Sequence, residues 1–415
     1  GQLRRPPQAG AAHRERDHRN IVSWDDYPEE ETEPVRTLPT SWSGTSTSSS
    51  AAYVERGPQP LRAASTSNGR IGYRRPVRIE CEVLAGLKPA LTEEVGRVLG
   101  RVTLHADDDP TALRFAYAGP LPRLLRLRTA VAAYLLVSVP GRRPSTLLGD
   151  STLFDQVELV RGLHPPGSFG SFRLSAPGKQ SAALRRLREE LSRRTGLADD
   201  PDDGELLLRI RRSPGTMDGW DLLTRLSPRP LSTRRWRVHH LPGALNATIA
   251  AAMVDMSRPR RADRVLNLMC GSGTLLVERF ARGRPALAVG CDLDPAALAG
   301  ARRNLESAGL AGAVALARMD ATALGVADGR VDVLLADLPY GHRMGSHQDN
   351  LALYPAVLRE AARVAAPGAA MLLVTHELRL FQRCLPAARR WWSVQQAVQV
   401  YQKGHHPMIY LLRRS

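Results

Sequence analysis

Apolar positions along the chain fall into two rhythms. From residue 264 onward, short apolar runs alternate with helix-like segments. The runs 265–268, 286–289, 313–316, 331–335 and 369–374 read as strands, and 274–281, 295–308 and 351–365 read as helices. Such alternation predicts a parallel α/β sheet. The end differs: 394–401 and 408–412 flank a short turn at Gly404 and predict an antiparallel hairpin closing the sheet edge. Upstream, the pattern is α+β with short elements. A strand at 77–84 leads through Gly86 to a helix at 89–99 and a strand at 102–105, and 121–139 reads as helix running into strand. Past a break at 165–170 come a strand at 171–174, a helix at 181–195, and strands at 206–210 and 220–226. The helix carries Leu184, Leu187 and Leu191 on one face and arginines elsewhere. Two units, 76–160 and 161–238, are therefore expected ahead of an α/β domain at 239–415. Residues 1–75 are dominated by Pro, Ser, Thr and Gly and are expected to be a disordered tail.

Length and charge sharpen this picture. A chain of 415 residues can bury more than one core. No apolar run reaches the roughly 18 residues a spanning helix needs, and the polar N-terminus has no hydrophobic signal segment. A cytoplasmic protein without membrane spans is expected. Cys81, Cys270, Cys291 and Cys384 form no Cys-x-x-Cys pair, which argues against a zinc ribbon or a disulfide frame. The net charge is +17, and only Lys88, Lys179 and Lys403 among the 58 basic residues are lysine. Arginine's planar fork suits phosphate, so nucleic acid is the expected partner. Codon bias in a GC-rich genome also accounts for arginine over lysine, but not for the surplus of basic over acidic residues. Residues 76–262 hold the largest share of that surplus.

The chemistry lies in the C-terminal half. The first strand feeds the turn Asn267-Leu268-Met269-Cys270-Gly271-Ser272-Gly273-Thr274. Its glycines let backbone approach a ligand, and the helix that follows offers N-terminal amides. Asp292 ends the second strand at the spacing for a ribose diol, and Asp320 follows the third, where it could hold an adenine amine. A dinucleotide site wants a third glycine where Leu276 stands, and no P-loop is present. S-adenosylmethionine, with a ribose and an adenine but no phosphate, fits better. A tight turn and two helix caps are the structural alternatives for these same residues.

The fourth strand ends in Asp337-Leu338-Pro339-Tyr340-Gly341. An acidic acceptor, a proline-rigidified carbonyl and an aromatic ring suit one planar amine. Asp337 can accept one N–H, a main-chain carbonyl the other, and Tyr340 can stack on the base. Two acceptors pull the amine's protons out of conjugation and build nucleophilicity as a methyl group transfers. A solvent-exposed turn is the bland alternative.

Residues 337–346, followed by Leu353-Tyr354-Pro355, resemble the THUMP-domain tRNA guanine-N2-methyltransferases. The resemblance implies a ferredoxin-like domain at 76–160, a THUMP RNA-binding domain at 161–238 and a Rossmann-type methyltransferase domain at 239–415. It implies Asp337, Pro339 and Tyr340 as catalytic residues. It implies a cofactor shell of Gly243, Ala244, Leu245, Asn246, Asn267, Met269, Cys270, Gly271, Ser272, Gly273, Thr274, Asp292, Leu293, Asp320, Ala321 and Asp337. The family commonly has Asp-Pro where Asn267-Leu268 stands. The implied activity is S-adenosylmethionine-dependent methylation of a tRNA guanosine at N2, around the sixth position of the acceptor stem. Ribosomal RNA or another tRNA position is the alternative within the class, and a non-catalytic RNA-binding protein the alternative outside it.

Arg185, Arg186, Arg188, Arg193 and Arg194, with Arg343, are candidate RNA contacts. For the helix arginines, a solvated face paired with Glu189 and Glu190 serves equally well. His239-His240 and His405-His406 are read as surface or RNA-contact histidines, because adjacent histidines on a strand point apart and no further ligand completes a metal set. Neither a metal nor a protein partner is expected. Cys270 and Cys291 are read as core or turn residues, and Trp391-Trp392 as one edge ring and one core ring.

Overall fold

The computed structural model describes residues 63–65, 71–73, 76–149, 151–178, 180–214, 218–340, 347–402 and 404–415. Most of the low-complexity tail, and Arg343, lie outside them. Near the tail's end β1 (Ala63–Ser65) and β2 (Ile71–Tyr73) pair antiparallel, so the disorder expected to residue 75 does not hold for these two strands.

The first large sheet contains β3 (Val77–Glu82), β4 (Thr103–Leu104), β5 (Ala112–Tyr117), β6 (Ala132–Pro140), β7 (Ser171–Ser175), β8 (Ala198–Asp199), β9 (Leu206–Arg212) and β10 (Gly219–Arg225). Its order is β4-β5-β3-β6-β10-β9-β7-β8, and strands on both sides of residue 160 meet where β6 pairs antiparallel with β10. Three helices accompany it: α1 (Lys88–Leu99), α2 (Thr152–Arg161) and α3 (Ala182–Thr195). In α3, Ser181 caps the N-terminus, Gly196 ends the helix at φ 71°, and Leu184, Leu187 and Leu191 are buried. The helix expected at the start of 121–139 is only a 3₁₀ turn, Leu121–Arg126. Past it, the amides of Arg128 and Thr129 donate to the Glu94 carboxylate, which removes them from any helical ladder.

The second sheet is Rossmann-like. It holds β11 (Arg264–Leu268), β12 (Leu287–Asp292), β13 (Ala315–Arg318), β14 (Val331–Asp337), β15 (Ala365–Thr375), β16 (Trp392–Gln399) and β17 (Met408–Arg414), interleaved with α4 (Ala247–Met256), α5 (Thr274–Phe280), α6 (Pro295–Ser307), α7 (His347–Val364) and α8 (Leu378–Ala388). The order β13-β12-β11-β14-β15-β17-β16 is parallel up to β15, and β17 and β16 close the edge as the expected antiparallel hairpin. Strand order reverses beside β11, so a crevice opens at the carboxyl ends of β11 and β14.

One apolar cluster runs through both sheets, from Ile79 and Leu91 to Met253, Val265 and Leu372. Buried ions pin the seam. Glu278 of α5, fully buried, accepts Arg128 Nε at 2.6 Å and Arg234 Nε at 2.9 Å. Asp255 of α4 takes Arg282 at 2.6 Å and Arg97 of α1 at 2.9 Å. The seam holds the first sheet in a fixed place beside the crevice.

Candidate active site

The turn after β11 is wound tightly. Met269, Gly271 and Gly273 all sit at positive φ (47°, 51° and 79°), a region costly for a methionine and free for glycine. The Cys270 amide donates to the Cys291 carbonyl at 2.8 Å, and the Gly273 amide to the Cys270 carbonyl at 2.8 Å. Both thiols are pushed up by burial, Cys291 to about 11, so neither is a nucleophile. Asn267 is buried, and its Nδ2 donates to the Leu335 carbonyl at 3.0 Å while Oδ1 has no partner among the described residues. An orphaned buried acceptor beside a positive-φ glycine turn fits a polar cofactor. Arg237 donates to the Leu245 carbonyl and to Thr274 Oγ1, both at 2.9 Å, and so ties Gly243–Asn246 to the turn. Asn246 caps α4 by accepting from the Thr248 amide at 2.8 Å.

The acids on β12 and after β13 already have work. Asp292 accepts the Gly271 amide at 2.8 Å through one oxygen and the Asp294 amide at 3.0 Å through the other. Asp320, exposed, accepts from the Thr322 amide at 2.8 Å and hydroxyl at 2.7 Å. Leu293 is exposed, while Ser272, Thr274 and Ala321 are buried. These residues gather at neighbouring strand ends, as the ladders among β11, β12 and β13 require.

Asp337 behaves differently. It ends β14 with no hydrogen bond from any described residue, and desolvation pushes its carboxyl up to about 7. The Leu338 amide donates to the Val374 carbonyl at 3.0 Å, fixing the turn to β15. The Pro339 carbonyl is doubly held, by Tyr354 Oη at 2.8 Å and Asn350 Nδ2 at 3.1 Å. Both its lone pairs are therefore used. Tyr340 stacks on His376, with ring centroids 3.8 Å apart.

Sequence reasoning missed the supporting layer. Asn350 and Tyr354 stand four residues apart on one face of α7, and Thr375 Oγ1 bonds Tyr354 Oη at 3.0 Å. The i, i+4 pair of a buried amide and a phenol was the available signal. Of the paired histidines, His240 and His406 are exposed as expected, and His239 and His405 are half-buried. His405 lies edge-on to His376 rather than at the surface, and His239 packs on Gly300 with its amide held by Asn304 at 2.8 Å. Of the α3 arginines, Arg185 and Arg186 are exposed. Arg188 pairs with Asp199, Arg193 with Glu190, and Arg194 lies over Phe154. Trp392 is buried and donates to the Leu358 carbonyl, while Trp391 lies under Arg390. Among the described residues no cluster of three or more His, Cys, Asp or Glu could hold a metal, and no helix is long and apolar enough to cross a membrane.

Fold and site together define a Rossmann-like methyltransferase-type domain. The family model described as "RMKL-like, methyltransferase domain" matches residues 234–408. The tRNA (guanine(6)-N2)-methyltransferase of Thermus thermophilus is 31% identical over 253 residues, covering 59% of this chain and 73% of that protein. The solved structure of TrmN from Thermus thermophilus superposes with a TM-score of 0.65 at 26% identity, over 82% of this chain and 100% of that one. The tRNA (guanine(6)-N(2))-methyltransferase THUMP3 of Bos taurus is 30% identical over 194 residues, 44% of this chain. That match spans only 38% of the bovine protein's length. The chain belongs to the tRNA guanine-N2-methyltransferase family.

Proposed function

We propose that this protein transfers the methyl group of S-adenosylmethionine to the exocyclic N2 of a guanosine in tRNA. The observation that carries the reading is Asp337: a desolvated carboxyl without a donor among the described residues, at the carboxyl end of β14, beside an aromatic ring. It is built to accept an N–H from a substrate amine. The Leu338 carbonyl accepts the second N–H, and Pro339 serves by stiffening the turn rather than through its own carbonyl. Tyr340 stacks on the base. When N2 takes the methyl group it would give up one proton, and Asp337 is placed to receive it. When bound, the cofactor supplies the electrophilic methyl group. Asn267, the turn 269–274, Asp292, Asp320 and the segment 243–246 would hold it.

The relatives' names support guanosine 6 of tRNA as the target, and the resemblance supports a ferredoxin-like domain at 76–160 and a THUMP domain at 161–238 that grip the RNA. Arg185 and Arg186 are the α3 side chains best placed for phosphate. Action in the cytoplasm without a protein partner goes with this reading. The U6 snRNA (guanine-N(2))-methyltransferase THUMPD2 of Mus musculus is 33% identical over 141 residues, which favours another guanosine-bearing RNA as the second reading. Nucleoside mass spectrometry with position mapping, after incubation of tRNA with protein and cofactor, decides. N2-methylguanosine at one tRNA position is expected, and no methylated guanosine overturns the reading.

A further inference from the structure

The catalytic aromatic is backed by a column of rings. Tyr340 and His376 are stacked, 3.8 Å between centroids at an interplanar angle of 24°, and His405 meets the other ring edge-on at 5.6 Å. His376 is held on both flanks. Thr375 Oγ1 accepts the Glu377 amide at 3.0 Å and bonds Tyr354 Oη, whose other contact is the Pro339 carbonyl. Glu377 is itself fixed by His347 Nδ1 at 2.8 Å. Thus the turn after β15, the head of α7 and the turn after β14 form one network around the Tyr340–His376 pair.

The far end of the column reaches the first sheet. His405 sits in the β16–β17 turn, where Gln402 and His405 exchange backbone hydrogen bonds at 2.9 Å. The Tyr401 amide donates to the Ala85 carbonyl at 3.0 Å. Gly86, at φ 94°, lies so close to the Gln399 carbonyl that a Cβ there would stand 1.9 Å from its oxygen. The hairpin that carries His405 is thereby clamped to the loop between β3 and α1.

We propose that His376 is a positioning residue for methyl transfer: it occupies one face of Tyr340, fixes that ring before substrate arrives, and confines the target base to the opposite face. This rests on the reading that the substrate is a base bound beside Asp337. The imidazole's role is that of a ring rather than a charge, since burial and the neighbouring His405 hold its pKa down to about 4.

The test pairs a kinetic readout with one that needs no turnover. In full-length protein labelled with 3-fluorotyrosine, the Tyr340 resonance is assigned by its loss in Tyr340→Phe. His376→Ala should move that resonance and lower kcat/KM for tRNA by on the order of tenfold, with cofactor Kd unchanged. His376→Phe should restore most of the loss. An unmoved resonance, an unmoved kcat/KM, or a phenylalanine variant as slow as the alanine variant overturns the proposal. A wild-type chain that methylates no guanosine overturns the functional reading and the kinetic half of this one, while the resonance still decides the stack.

Discussion

The two sides of the crevice use aspartate in opposite ways. On the β12–β13 side, Asp292 and Asp320 are satisfied by the chain's own amides and hydroxyl before any ligand arrives. On the β14 side, Asp337 is satisfied by nothing in the described structure and is raised to about 7. A carboxylate that holds its own backbone sets a shape. One that is desolvated and unpaired stores free energy that a substrate N–H releases. Under the proposed function, Asp292 and Asp320 are preformed holders and Asp337 is a poised chemical group, so binding falls to the first pair and rate to the second.

Several substitutions would break or sharpen this contrast. The largest effect belongs to Asp337→Ala, which should slow methyl transfer by on the order of 10²-fold or more while leaving RNA affinity intact. Rapid-quench kinetics beside a tRNA binding titration would show it. Asp292→Ala should raise the cofactor KM by roughly tenfold with little change in kcat, because its contacts are the same in ground and transition states. It should also lower Tm, since the Gly271 amide loses its acceptor; a cofactor titration and a thermal scan check both.

Two pH experiments sharpen the contrast further. Asp337 must be ionised to take up the amine proton, so kcat/KM should climb with pH up to about 7 and then level. A profile flat through that range would contradict the assignment. The smallest effect is on stability. A free aspartate ionises near ~3.9, whereas Asp337 in the folded protein holds its proton to about 7. Stability from this group is therefore complete below about pH 4 and is lost as pH rises through 7. Asparagine cannot ionise, so the stability of Asp337→Asn relative to wild type should be greater at pH 8 than at pH 5. Thermal scans at the two pH values read the difference.

Much of this was legible in the chain. The alternating apolar runs marked the parallel α/β sheet and placed Asp292, Asp320 and Asp337 at or just past strand ends. Two kinds of feature were not legible. Helix α4 is apolar all round, with Thr248 through Val254 buried, so it carries no amphipathic period to find. Strand β5 follows the acid-rich Asp107-Asp108-Asp109-Pro110, which reads as loop. Long-range partners are the second kind. The sequence called for a main-chain carbonyl beside Asp337 without saying which, and it did not show that α7 sends Asn350 and Tyr354 to the Pro339 carbonyl. That contact spans a turn and a helix, and local pattern does not encode it. Likewise, the sequence distinguishes none of the three aspartates by what their oxygens touch.

The division between holder and chemistry is tested most directly on Asp337→Asn and Asp292→Asn side by side. Calorimetry gives the cofactor Kd of each, and single-turnover methylation of tRNA at saturating cofactor gives the rate. The account predicts that Asp337→Asn loses about 100-fold or more in rate with Kd within roughly twofold of wild type, and that Asp292→Asn weakens Kd while keeping most of the rate. A near-normal rate for Asp337→Asn, or a collapsed rate with unchanged Kd for Asp292→Asn, would contradict it.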